Sequence, residues 1–106
     1  MTCVRNIAEA EQVLEKAAES GETATLEPAE GMEKYAGLLY VREMFNIAIG
    51  HYPQVPVTQV FNAGDDAALA VVAMKDRFDR VRYHGSDAMT EKLQDIAQQL
   101  GKELVE

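Results

Sequence analysis

Polar side chains follow the predicted strands of this chain, at the points where the strands end. They include carboxylates, an amide, an imidazole and a hydroxyl, and the candidate ligand rim consists of Glu27, Asn62, Asp65, Asp66, His84 and Ser86. Glu30 and Asp87 belong to the same predicted turns. Carboxylate and amide oxygens are ligands that Mg²⁺ accepts, and crowded carboxyl or imidazole groups act as general acids and bases. The rim is therefore a candidate site for Mg²⁺, a small ligand or proton transfer.

A repeated unit positions these residues. Residues 57–74 and residues 81–100 each contain a strand pattern, a glycine turn at Gly64 or Gly85, an acidic or hydroxyl N-cap and a helix pattern. Strands that alternate with helices in this way form parallel sheets. Ligands of open α/β sheets bind beyond the carboxyl ends of the strands, so the two glycine turns lie where a binding crevice is expected.

The remaining elements follow from hydrophobic periodicity. Helices are predicted at 7–20, 35–52, 67–74 and 87–100, and strands at 22–27, 55–61 and 80–83, with a short edge strand at 103–105. The predicted fold class is α/β, a small three- to four-stranded parallel sheet with βαβαβα order, preceded by an N-terminal helix, in a single domain of residues 1–106. A three-layer and a half-barrel-like arrangement both fit. The second would leave apolar sheet surface that needs a partner chain.

Helix capping offers most rim residues a structural role without any ligand. Asp65 and Ser86 fall at predicted N-caps, and Asp66 and Asp87 fall in first helical turns, where such side chains bind free backbone N–H groups. The same amides would suit a phosphate, but the neighbouring acids repel anions. Neither a dinucleotide-binding glycine pattern nor a Walker lysine is present.

No complete catalytic set is evident in the sequence. Cys3 has no base near it in the chain, and Ser86, two residues from His84, lacks the glycines of a nucleophile elbow. All five lysines fall in helical, loop or terminal positions: Lys16, Lys34, Lys75, Lys92 and Lys102. Because a Schiff-base lysine is normally buried on a strand, aldolase-like catalysis is not expected.

The net charge and the single cysteine limit which binding partners and which cellular location are expected. The 106 residues include 18 acidic and 10 basic side chains, which give a formal net charge of −8. This charge repels nucleic acid and acidic lipids, so neither is an expected partner. Cys3 is the single cysteine and cannot form an intramolecular disulfide, and the sequence has neither a secretory signal pattern nor a membrane span. A cytoplasmic location is predicted.

The predicted helix at 35–52 carries apolar residues on more than one face, among them Met44 and Phe45. Together with the missing catalytic set, this favours a non-enzymatic protein-interaction or regulatory module that acts as a homodimer through this helix and uses no cofactor. The alternative is a small-ligand or Mg²⁺ site at the rim. The sequence leaves enzymatic activity uncertain and resembles no family strongly enough to name.

Overall fold

The computed structural model of the chain describes residues 3–32 and 36–106, and its centre is one parallel β-sheet. Five strands pair in the order of the chain: β1 Cys3–Val4, β2 Ala24–Pro28, β3 Val57–Asn62, β4 Arg80–Arg82 and β5 Glu103–Val105. In the register, Thr25 lies opposite Thr58, and Asn62 lies opposite Arg82. The predicted α/β class and parallel sheet are confirmed, with β3 as the central strand.

Helices connect the strands, and three of them have the predicted bounds. The described helices are α1 Ile7–Ser20, α2 Gly37–Gly50, α3 Ala67–Met74 and α4 Asp87–Leu100. The Asn6 side chain accepts a hydrogen bond from the Glu9 amide at 2.9 Å, as expected of an N-cap. Gly21 and Gly101 end α1 and α4 at φ of 73° and 71°, a conformation that favours glycine. Residues 33–35 of the predicted second helix and its preceding loop lie outside the described residues.

The sheet has more strands than the sequence predicts, and the difference lies at its first edge. Cys3–Val4 is too short to show periodicity, so β1 is found only from its pairing with β2. The predicted strand ends at Glu27, whereas β2 continues to Pro28, which lies opposite Val4. The hydrogen bond at this position is donated by the Ala29 amide to the Val4 carbonyl at 2.8 Å, so proline's missing N–H is not needed.

The strand order decides between the two predicted arrangements. Because each strand pairs with the next one along the chain, right-handed crossovers place all the helices on the same face of the sheet. One core cluster accordingly joins strand residues Leu26, Phe61 and Val81 to helix residues such as Leu14 and Phe45. The fold is therefore half-barrel-like, and the three-layer arrangement is excluded.

The opposite face of the sheet carries none of the described helices, and most of its side chains are polar. Alternation along the strands places these residues on it: Thr25, Glu27, Thr58, Val60, Asn62, Arg80, Arg82, Glu103 and Val105. Two ion pairs lie on this polar sheet face: Arg82 Nε of β4 contacts Glu27 Oε2 of β2 at 2.6 Å, and Arg80 Nε contacts Glu103 Oε2 on the neighbouring strand at 3.0 Å. The expectation of an apolar sheet surface is therefore wrong, because charged side chains lie across this face and form ion pairs with each other.

Helix α2 presents its apolar residues in two directions. Met44 and Phe45 are buried in the core, whereas Leu39, Tyr40 and Ile47 are 63%, 50% and 45% exposed. The outward apolar side of α2 thus consists of these three residues and excludes Met44 and Phe45. Among the described residues, no helix has the length and hydropathy required to cross a membrane.

Candidate functional site

The carboxyl edge of the sheet brings three polar side chains together on the polar sheet face. Glu27 lies near the end of β2, Asn62 ends β3, and Arg82 ends β4. Glu27 and Asn62 are each only 7% exposed, although no helix covers this face. Polar groups buried to this degree require partners, and their contacts define the site.

An ion pair between β2 and β4 passes over the central strand. Arg82 donates from Nε to Glu27 Oε2 at 2.6 Å and from NH2 to Oε1 at 3.2 Å, a bidentate arrangement. Val60 of the intervening β3 is only 1% exposed, because the side chains of this ion pair lie over it. The hydrogen bond that Arg82 donates to the Glu27 carboxylate stabilises the protonated guanidinium and raises the pKa of Arg82 above its ordinary value.

The turns after β3 and β4 touch each other beside this pair. The His84 amide donates to the Gly64 carbonyl at 2.7 Å, and Asn62 Oδ1 accepts from the Gly64 amide at 2.9 Å. The Asn62 side chain therefore fixes the turn that follows β3. The side chains of Asp65 and His84 are exposed in these turns.

The helix starts above the edge are capped by the chain's own side chains. Asp66 accepts from the Leu69 amide at 3.0 Å at the start of α3, and Ser86 accepts from the Met89 amide at 3.2 Å at the start of α4. Ser86 is the N-cap that the sequence predicts. The α3 cap is Asp66, one residue later than predicted, since the Gly64 turn places Asp65 outside the helix start.

Of the predicted rim, the structure gathers Glu27 and Asn62 into one cluster and leaves Asp65, Asp66, His84 and Ser86 in the two turns. Among residues 3–32 and 36–106, no three His, Cys, Asp or Glu side chains lie close enough to hold a metal ion. The Mg²⁺ interpretation therefore gains no support from the described residues. Four lysines lie outside the strands, and Lys34 lies outside the described residues.

Arg82 is the residue of the candidate site that the sequence analysis misses. The alternation Arg80–Val81–Arg82 indicates a strand with two arginines on one face, but the strand alone does not identify their partners. Glu27 becomes a neighbour only when β2 and β4 are known to flank β3. Strand order, which local patterns do not contain, was the missing information.

Comparisons with known proteins give one consistent result. No family model matches the chain. Over 83 residues, 78% of the chain, it is 28% identical to the fructose-bisphosphate aldolases of Nostoc sp. and of Xanthobacter flavus, and it spans 23% of the length of each. The fold resembles that of a Coccidioides immitis protein assigned as a fructose-1,6-biphosphate aldolase, with a TM-score of 0.74 and 20% identity over 97% of this chain and 43% of that one.

These relatives overturn the predicted function. The proteins to which the chain is similar are named as enzymes, so the expectation of a non-enzymatic interaction module of unknown function is wrong. The prediction rested on the absence of a buried lysine and of an activated nucleophile, and it kept the Mg²⁺ and acid–base chemistry of the rim only as the alternative. The chain corresponds to part of a βα fold that occurs in aldolases.

Proposed function

We propose that this half-barrel binds a small carbonyl sugar at the carboxyl edge of its sheet and catalyses its enolisation, the proton-transfer half of an aldol reaction. The observation that carries the proposal is the ion pair of the buried Glu27 with the partly exposed Arg82, beside Asn62, at the edge where ligands of parallel sheets bind. The aldolase names of the relatives support the choice of chemistry.

The donors and acceptors at the edge suit a hydroxy-carbonyl compound. Glu27 and the Glu106 carbonyl take three of the five N–H groups of Arg82, and the remaining two can donate to a substrate oxygen. In the proposed step, Glu27 accepts the proton from the carbon next to the carbonyl group. The electron pair moves to the carbonyl oxygen, where the Arg82 guanidinium stabilises the developing negative charge.

Exchange of carbon-bound hydrogen tests this step. The protein is incubated with dihydroxyacetone in deuterated buffer, and proton NMR follows the loss of the hydroxymethyl signals. We expect exchange above the buffer rate, reduced at least about tenfold in Glu27→Gln and in Arg82→Met, which corresponds to about 1.4 kcal/mol of transition-state stabilisation.

The control is Glu103→Gln, which removes the other ion pair of the polar sheet face, at the amino end of the strands. This variant should keep the wild-type exchange rate, because Arg80 and Glu103 are the first residues of β4 and β5, whereas Asn62 and Arg82 are the last residues of their strands. Exchange at the buffer rate with folded wild-type protein, or equal exchange in all variants, would refute the proposal.

Two further properties belong to the proposal. A cytoplasmic location fits the free thiol of Cys3, which is exposed. A homodimer fits the exposed apolar side of α2, at Leu39, Tyr40 and Ile47. Light scattering tests the second property and subcellular fractionation the first.

A further inference from the structure

We infer that the ligand of the carboxyl edge is an uncharged polyhydroxy carbonyl compound and that the edge discriminates against phosphate esters. The inference rests on the proposed function and specifies its substrate class. It separates this chain from the bisphosphate substrate in the names of its relatives. Three features of the described residues carry it.

The first feature is that the backbone amides most suited to phosphate are already occupied. Phosphate in βα folds is bound by free N–H groups at glycine turns and helix starts. Here the Gly64 amide donates to Asn62, the Leu69 amide donates to Asp66, and the Met89 amide donates to Ser86. A phosphate would have to displace three side chains that compete for the same donors.

The second feature is that the described arginines at this edge are already neutralised. Arg82 is held by both oxygens of Glu27, and Arg5, which follows β1, donates to Glu9 from its backbone amide at 2.9 Å and from NH2 at 3.3 Å. A paired guanidinium still donates hydrogen bonds, but its charge is offset for an incoming anion. The two N–H groups of Arg82 that remain for a ligand therefore suit a hydroxyl or carbonyl oxygen better than a phosphate.

The third feature is the charge of the surrounding turns. Asp65 and Asp66 follow β3, and Asp87 follows β4, all of them exposed. With the arginines paired, these carboxylates give the described part of the edge a negative field that repels a dianion. The same carboxylates accept hydrogen bonds from sugar hydroxyls without a charge penalty.

Ligand titration of the full chain, followed by amide NMR, tests the inference with three probes: dihydroxyacetone, dihydroxyacetone phosphate and inorganic phosphate. We expect dihydroxyacetone to shift the amides of Gly64 and His84, and the phosphate ester to bind at least about tenfold more weakly. Equal or tighter binding of the phosphate ester would overturn the inference, and the proposed function would stand if exchange persists. If none of the three probes binds folded protein, both proposals fall.

Substitutions at Asp66 test the physical reason. Asp66→Ala removes a negative charge and frees the Leu69 amide, whereas Asp66→Ser removes the charge and keeps a capping oxygen. We expect the affinity for the phosphate ester to rise most in Asp66→Ala, less in Asp66→Ser and least in Asp95→Ala, which makes the same charge change on an exposed part of α4. The same affinity in wild type and all three variants would refute the argument from occupied amides and charge.

Discussion

Replacing Glu27 by glutamine should destabilise the fold by about 2 kcal/mol, and the value follows from the burial of its ion pair. Removing one partner of a fully buried pair costs about 3–5 kcal/mol, while an exposed pair contributes about 0–1 kcal/mol. The Glu27 side chain is 9% exposed, but that of Arg82 is 31% exposed, so water reaches the guanidinium that is left behind. An intermediate loss is therefore expected.

Urea denaturation followed by circular dichroism measures this loss. Glu103→Gln is the matched control, because its ion pair lies on the same face with side chains 36% and 58% exposed, and its loss should stay below about 1 kcal/mol. A double-mutant cycle with Arg82→Met separates the pair energy from other effects of each change. Arg82 is charged throughout the neutral range, and the hydrogen bond to Glu27 raises its pKa further, so the loss should persist at neutral pH and decrease in strong alkali. Equal losses in Glu27→Gln and Glu103→Gln would refute the reasoning.

Three smaller predictions concern other parts of the chain. The pKa of Glu9 is lowered by hydrogen bonds from Arg5. The stability that this interaction contributes is therefore present at neutral pH and lost as the pH falls through the lowered pKa. Glu9→Gln should abolish this pH dependence of stability in melting curves recorded across the pH range. Gly85→Ala should cost about 1–3 kcal/mol in urea unfolding, because the new methyl group would meet the buried Tyr83 hydroxyl at 1.8 Å, and a cost below about 0.5 kcal/mol would contradict this packing. Ile47→Glu should halve a dimer mass in light scattering and keep the fold, whereas Met44→Glu should unfold the chain, since Met44 is 2% exposed.

The sequence predicts well those elements whose signals are local. Helices α3 and α4 have the predicted bounds because a capping side chain marks each start and the apolar pattern spans the length. The edge strand β5 is also confirmed. Strand β1 is missed, since two residues carry no period.

The candidate site depends on information that is not local. Glu27 ends a predicted strand and Asn62 follows one, which places both in the predicted rim, and the structure brings them to one edge. Their grouping with Arg82 needs the order of three strands, which hydrophobic patterns do not specify. The position of the α3 cap depends on how the Gly64 turn is closed, and Asp65 and Asp66 are equally good capping residues by type.

The strand order of the sheet follows the order of the chain, and this determines the order in which the strands should separate during local unfolding. Every strand pairs only with strands adjacent to it in sequence. The hydrogen bonds between two neighbouring strands can therefore break while those between the other strands remain. Opening should therefore begin at the short outer strands and move inward, and amide hydrogens of β3 should exchange last. The ion pair between Glu27 and Arg82 joins β2 to β4 across β3. It should therefore hold the β2–β3 and β3–β4 pairings together, so that these two separate last and at the same time.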